Sequence, residues 1–231
     1  MSSNSPAANQ ERANAAYLGV RTDMLAMIPT TASVHRVLDV GCAEGSTGAT
    51  LKNERANCHV TGIELFERSA KTARTRLDEV HQGDAMTLLE QLSQDVQEGK
   101  SQPYDLVLCG DVLEHLTDPW AALRAVRTLC SGYAVISLPN AAHISTISAM
   151  LFGSNFPYRD RGIQDRTHLR FFGRKNLPEL FAQAEFEEIK RFTHHRIIER
   201  PHRLNETLRP LLAHVPLIKG WTEYQFVSLL K

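Results

Sequence analysis

Two rhythms of apolar residues alternate along the chain. Short apolar runs occur at 36–41 (RVLDVG), 58–65 (CHVTGIEL), 104–110 (YDLVLCG) and 133–140 (YAVISLPN), with a weaker one at 79–84 (EVHQGD). Runs this short suit strands covered on both faces, where no polar alternation is required. Between them the apolar spacing changes to three and four. Ala70, Ala73, Leu77 and Val80 form such a stripe over 67–80. Trp120, Leu123, Val126 and Leu129 form another behind Asp118 and Pro119, which read as an N-cap and a first-turn proline. An amphipathic helix is expected ahead of the first strand, with Tyr17, Leu18, Met24, Leu25 and Ile28 near one face and Pro29 at its end.

Beyond residue 140 the beat is lost. Residues 141–176 are rich in arginine, histidine and aromatics without a clean strand–helix order. A helix (177–184) and a strand (186–192) then return, and 224–231 (YQFVSLLK) closes the chain with strand-like alternation. A helix is also expected around 202–215, where Leu204, Leu208, Leu211 and Leu212 could serve the core or a dimer face. Strands alternating with helices imply a doubly wound α/β fold with a parallel sheet and right-handed crossovers. Ligands on such sheets sit beyond the carboxyl ends of the strands. That places the candidate chemistry at Asp39–Ser46, Glu64, Asp84 and Gly110–His115. Residues 1–12 are expected to be a disordered tail, and 13–231 one domain with 141–176 as a segment over the site.

The stretch VLDVGCAEGSTG (37–48) narrows the ligand. Gly41 lets the chain leave the strand in a conformation that side chains disfavour. Ala43 and Gly45 keep the turn bare, so that a ligand can touch backbone. The helix that starts near Ser46 offers free N–H groups to an anion. The dinucleotide spacing G-x-G-x-x-G is absent, since Ala43 and Ser46 stand at its second and third glycines, and no G-x-x-x-x-G-K-[ST] loop occurs. A carboxylate is the natural alternative to a pyrophosphate, and an amino-acid nucleoside supplies one. Its ammonium would meet backbone carbonyls near Gly41 with Asp39 as a favourable charge. Glu64, at the end of the second strand, would accept both ribose hydroxyls. Asp84, in GDAM, would accept from an adenine amino group.

Composition removes other classes. Lys+Arg and Asp+Glu balance at 26 each, so no global field gathers nucleic acid or anionic membrane. No apolar stretch has the length of a membrane span, and MSSNSPAANQ lacks the apolar region of a secretory signal. Cys42, Cys58, Cys109 and Cys130 show neither CxxC nor zinc spacing and read as buried thiols of a cytoplasmic protein. His194 and His195 are adjacent on a strand and so point to opposite faces, which argues against a metal site there.

VLDVGCAEG, VTGIEL, GDA, YDLVLCGDVLEHLTDP and YAVISLPN, over roughly 36–140, together resemble the class I S-adenosylmethionine-dependent methyltransferases in order and spacing. The resemblance implies a Rossmann-like, three-layer αβα fold. Its seven-stranded sheet would be mostly parallel, with the last strand antiparallel beside the fifth, and S-adenosylhomocysteine would be the product. It assigns the cofactor to Asp39, Gly41, Ala43, Gly45, Glu64, Leu65, Asp84, Ala85 and Gly110, with Tyr17 as a cover. VLEHLTDP resembles the small-molecule O- and N-methyltransferases, and YRDRGIQDRTHLRFF (158–172) resembles methyltransferases encoded beside glycosyltransferases. The implied acceptor is a hydroxyl or amine of a small molecule such as a sugar or glycoconjugate precursor. Two departures are Ala43, where the family usually has glycine, and Glu185, where relatives have Ala-Gly-Phe.

The sulfonium methyl is already activated, so the enzyme must hold the acceptor in line and, for a hydroxyl, remove a proton. His115 and His168 compete for that role, with Asp165 a candidate to orient His168. Glu114 reads as a loop cap rather than a catalytic acid. Arg166 and Arg170 are the preferred anion contacts for an acceptor, with Tyr158 behind them; the alternative is a clasp of Arg–Asp pairs. A C5-cytosine enzyme would need a Pro-Cys pair, and a nucleic-acid amino-methyltransferase an (Asp/Asn)-Pro-Pro-aromatic motif after the fourth strand; neither is present. The reading from another class is a cofactor-binding partner subunit without catalysis.

Overall fold

The structure, a computed structural model, describes residues 19–198, 205 and 220–231. Tyr17, the expected tail and nearly all of 202–215 lie outside the described residues. Seven strands form one sheet: β1 (Arg36–Val40), β2 (His59–Glu64), β3 (Glu79–Gln82), β4 (Tyr104–Gly110), β5 (Cys130–Pro139), β6 (Glu188–His195) and β7 (Glu223–Leu230). Their order is β3-β2-β1-β4-β5-β7-β6. β1 to β5 pair in parallel, and β7 enters antiparallel between β5 and β6, with Ala134 opposite Leu230 and Pro139 opposite Gln225. The closing alternation of the sequence is therefore the inserted strand.

The continuous apolar runs are explained by burial on two faces. Val37, Leu106, Leu108 and Val135 pack on one side of the sheet with Met24, Leu51, Ala73 and Leu77. Leu38, Val40, Val107, Cys109, Ala134 and Ile136 pack on the other with Leu123, Val126, Leu129 and Phe181. Successive strand residues point to opposite faces, so both must be apolar. Helices among the described residues include α1 (Thr22–Leu25), α2 (Ser46–Glu54), α3 (Glu67–Ala73), α4 (Ala85–Gln97), α5 (Pro119–Leu129), α6 (Ile144–Gly153) and α7 (Asn176–Ala182), and all of these but α6 send residues into these cores. In α5, Asp118 accepts from the Ala121 N–H at 2.9 Å and Pro119 follows, as its sequence implies. Leu123, Val126 and Leu129 are fully buried and stabilise the sheet face by about 1.5–3 kcal/mol each.

Three expectations change. The stripe over 67–80 is a helix only to Ala73; Val80 belongs to β3, while Leu77 reaches the core from a turn. The leading helix is regular only over Thr22–Leu25, although Met24, Met27 and Ile28 are buried. The segment 141–176 contains α6, with His143 as its N-cap. All four cysteines are free and buried.

Candidate functional site

The bend after β1 is built from strained positions. Gly41 (φ 69°) and Gly45 (φ 76°) are left-handed, and so is Ala43 (φ 49°), where the family pattern has glycine. A Cβ on Gly41 would lie 2.5 Å from Val112 Cγ2. The bend is tied down by Gly41 and Cys42 N–H groups donating to Ile63 O at 2.9 and 3.0 Å. Left-handed backbone costs an L-residue about 1–2 kcal/mol, and glycine's extra freedom in the unfolded chain returns about 0.5–1. Ala43→Gly is accordingly expected to raise stability by up to about 1 kcal/mol in urea unfolding without weakening cofactor binding. A loss of both would contradict this account of the bend.

Glu64 closes the turn from the neighbouring strand. Its Oε2 accepts the Ala43 N–H and its Oε1 the Phe66 N–H, both at 2.9 Å. Burial pushes its carboxyl pKa up, against those two N–H groups. Leu65 is exposed beside it, and its carbonyl accepts from Gln82 Nε2. Asp84 is exposed at the end of β3 and caps α4 by accepting from the Thr87 N–H at 3.0 Å, with Ala85 starting that helix. Glu64, Leu65, Asp84 and Ala85 thus continue the strand-end ledge beyond Ala43, outside the main cavity.

That cavity, of about 950 Å³, opens at the carboxyl ends of β1, β4 and β5. Asp39, Gly41, Ala43, Ser46, Thr47 and Gly110 line one side. Asp39 is only 6% exposed, and its Oδ2 has no hydrogen-bond partner. Burial, then the nearby Glu64 charge, pushes its pKa up to about 7, opposed by the Gly48 N–H. In the unfolded chain it would ionise near its ordinary value. Between about pH 4 and 7 the folded protein therefore holds a proton that the unfolded chain has lost, and this group's contribution to stability falls as pH rises through that window.

A network absent from the sequence reading makes the floor. Arg21 donates from Nη1 to Asp111 Oδ2 at 2.7 Å, and from Nε and Nη2 to the two oxygens of Asp23 at 2.9 Å. Asp111 also accepts from Gln225 Nε2 on both oxygens (2.7 and 2.8 Å) and from Ser137 Oγ at 2.8 Å. His194 Nε2 lies 2.9 Å from Asp23. Burial opposes the Arg21 charge, but Asp111 and Asp23 more than offset it, and its pKa rises. Asp23 is held low, its burial outweighed by His194 and Arg21. Asp111 had a local cue, the GDVLEH stretch. Arg21 and Gln225 had none, because their partner is distant in the chain.

His168 also lines the cavity, and His115, which does not, packs against it. His168 is 6% exposed; its Nδ1 donates to Ile163 O at 3.1 Å, and its Nε2 is buried without a partner. The rings of His115 and His168 meet edge to face at 4.6 Å. Thr167 Oγ1 donates to Asp165 Oδ1 at 2.7 Å and accepts from His115 Nδ1 at 3.0 Å. A carboxylate only accepts, so the direction of this relay leaves the lone pair on His115 Nε2. Asp165 therefore orients His115 through Thr167, correcting the expected Asp165–His168 pairing. Burial lowers both imidazole pKa values; for His168 the neighbouring His115 adds to the shift, and for both Asp165 opposes it.

Glu114 is also more than a loop cap. Its backbone carbonyl accepts the Leu169 and Arg170 N–H groups, while its side chain is 1% exposed on the cavity wall with Oε2 unpartnered. Burial, then the Asp111 charge, raises its pKa well above the usual carboxylate range.

The segment 158–168 forms the remaining wall. Tyr158, Arg159, Arg161 and Arg166 line the cavity, with Arg166 also paired to Asp160 at 2.7 Å. One loop thus both lines the cavity and carries an Arg–Asp pair. Arg170 is not brought there: it donates to Thr117 O, lies over the Trp120 ring at 6.0 Å and lines a separate cleft of about 210 Å³. Tyr17 lies outside the described residues.

Both the sequence and the fold have known relatives. Residues 10–190 match the methyltransferase domain family, and the chain belongs to the class I S-adenosylmethionine-dependent methyltransferases, a family whose cofactor is S-adenosylmethionine. It is 33% identical over 94 residues to a ubiquinone biosynthesis O-methyltransferase of Aeromonas salmonicida, an alignment that covers 41% of this chain and 38% of that relative. The fold is shared with a possible histamine N-methyltransferase of Thermotoga maritima (TM-score 0.60, 18% identity, 98% of this chain and 95% of that one). It is shared too with magnesium protoporphyrin IX methyltransferase from Synechocystis PCC 6803 with bound S-adenosylhomocysteine (TM-score 0.57, 14% identity, 96% and 82%).

Proposed function

We propose that the protein transfers the methyl group of S-adenosylmethionine to a hydroxyl of a small molecule that carries an anionic group. The observation that carries this reading is one cavity lined by Asp39 and His168, each with a buried unpartnered atom, and by charged Arg21. The cofactor ammonium would face Asp39. Its carboxylate would face Arg21 and the start of α2, its ribose Glu64 and its adenine Asp84. The sulfonium methyl would then point at His168 and Glu114. Arg159, Arg161 and Arg166 supply positive charge at the acceptor mouth, suited to a phosphate or carboxylate. A phosphorylated sugar or a glycoconjugate precursor meets that description, and so does an acidic phenol. No helix among the described residues is long and apolar enough to cross a membrane; four free cysteines fit a cytoplasmic setting.

Label transfer from methyl-labelled cofactor to pools of sugar phosphates, acidic phenols and amines tests the reading. Labelled ether in an anionic acceptor is the expected result; label only in amines would overturn it. Arg21→Met is expected to weaken S-adenosylhomocysteine binding about 10- to 100-fold, the value of a charged hydrogen bond. Calorimetry on this variant should show that loss, and unchanged affinity would remove Arg21 from the site. A cationic ammonium against Asp39 favours its ionised form, so binding expels a proton. Affinity should therefore climb several-fold from about pH 6 to 8 and level off above. Asp39→Asn should flatten that profile; a profile of unaltered slope would mean that another group titrates.

A further inference from the structure

Three potential ligand atoms gather at the edge of the cavity. Glu114, His115 and His168 each offer one ligand atom, and these atoms all lie within 4.8 Å of one another. Two of the three side chains are almost fully buried, and each ends in an atom with no partner, Glu114 Oε2 and His168 Nε2. Buried acceptors without donors cost about 1–3 kcal/mol each, so something is expected to satisfy them. They do not satisfy each other: Glu114 Oε1 and His168 Nε2 stand 4.0 Å apart, beyond a hydrogen bond.

The surrounding bonds set the lone pairs in place. Ile163 O holds His168 Nδ1–H, and the Asp165–Thr167 relay holds His115 Nδ1–H. Both rings therefore present Nε2 as an acceptor, the arrangement in which an outer hydrogen bond fixes the tautomer of a metal-ligating histidine. Asp111, the nearest other acid on the loop, is fully engaged by Arg21, Gln225 and Ser137 and is not available as a ligand.

We propose that Glu114, His115 and His168 bind a divalent first-row transition cation, such as Zn²⁺ or Mn²⁺, whose open coordination position faces the cavity and carries the acceptor hydroxyl. Two imidazoles and a carboxylate suit such ions better than Mg²⁺ or Ca²⁺, which favour all-oxygen cages. Metal–ligand bonds of about 2.0–2.2 Å bring ligand atoms to roughly 3–3.5 Å from one another, so shifts of about 1 Å in side chains close the site. Three protein ligands with a fourth position open to a cavity is the pattern of catalytic rather than structural metal sites. Glu114 and His168 both line that cavity.

The role of the ion rests on the methyl-transfer reading above; its binding does not. The acceptor R–OH coordinates the cation, and its proton leaves to solvent water as the metal stabilises the alkoxide. The oxygen lone pair then forms the O–CH₃ bond while the C–S bond breaks and its electron pair returns to sulfur. The products are R–OCH₃, neutral S-adenosylhomocysteine and one proton.

The test uses the full chain, stripped with a chelator and titrated with Zn²⁺, Mn²⁺ and Co²⁺. One equivalent is expected to bind, with a visible d–d spectrum for Co²⁺ that reports nitrogen ligation. Glu114→Gln and His168→Gln should each lower metal affinity at least about tenfold, with the thermal midpoint and S-adenosylhomocysteine affinity serving as checks that each variant is folded. No retained ion, or ion binding that both folded variants preserve, overturns the site. Methyl transfer that falls on chelation and returns with metal supports the assigned role; transfer indifferent to chelation overturns that role alone. Failure to bind S-adenosylhomocysteine would sink the methyl-transfer reading and leave the metal titration standing.

Discussion

Replacing His168 by alanine is expected to cut methyl transfer by about 10²- to 10⁴-fold, the range for losing a group that helps activate the acceptor hydroxyl. Cofactor affinity should stay within about threefold, because in the proposed pose His168 meets the acceptor rather than the amino-acid end of the cofactor. The physical reason is the fixed direction of its hydrogen bonds: Nδ1 is held by Ile163 O, so only Nε2 can serve the cavity. The side chain is buried, and its deletion leaves a hole, so His168→Gln is the control that fills it. Steady-state rates on an identified acceptor, set beside calorimetry with S-adenosylhomocysteine, measure both numbers. Equal losses in rate and cofactor binding would put His168 on the cofactor side and reverse the proposed polarity of the cavity.

Gly41→Ala should be strongly damaging to both fold and site. The new Cβ would meet Val112 Cγ2 at 2.5 Å, and the position is left-handed with φ 69°. Overpacking costs about 1–3 kcal/mol, and the backbone conformation about 1–2 more. At roughly 2–4 °C per kcal/mol for a domain of this size, a drop in melting temperature of about 5–15 °C is expected. Cofactor affinity should fall with it, because the Gly41 and Cys42 N–H groups that anchor the bend to β2 cannot both keep their places. Differential scanning calorimetry with and without S-adenosylhomocysteine separates the two effects. A variant with wild-type melting and affinity would show that the bend is softer than its contacts imply.

Elements that declare themselves locally were legible in the sequence. Asp118 and Pro119 announce α5 because capping and the missing proline N–H are properties of neighbours in the chain. Each core strand read correctly because burial on both faces demands a run of apolar residues. Helix α6 escaped for the complementary reason: Met150, Leu151 and Phe152 are exposed, so its outer face is apolar and no stripe stands out. Val80 misled because it satisfies a helical spacing and a strand at once, and only the chain reversal after Ala73 decides between them.

At the site, the bend and the acids at the strand ends were visible because motif spacing carries them. The Asp165–Thr167–His115 relay was not, since a threonine between an acid and a histidine 52 residues away has no sequence signature. Arg21 meets Asp111 across 90 residues, and nothing near either residue marks the pair. Arg170 looked equivalent to Arg166, yet four residues further along the loop the chain has turned, and Arg170 reaches Thr117 and Trp120 instead.

A crystal structure of the protein with S-adenosylhomocysteine is the most direct measurement of how the cavity is used. The expected complex has the amino-acid end between Asp39 and Arg21, the ribose at Glu64, the adenine beside Asp84 and the sulfur turned toward Glu114 and His168. A ligand seated with its sulfur away from that wall, or bound outside the bend at Gly41–Gly45, would contradict the account.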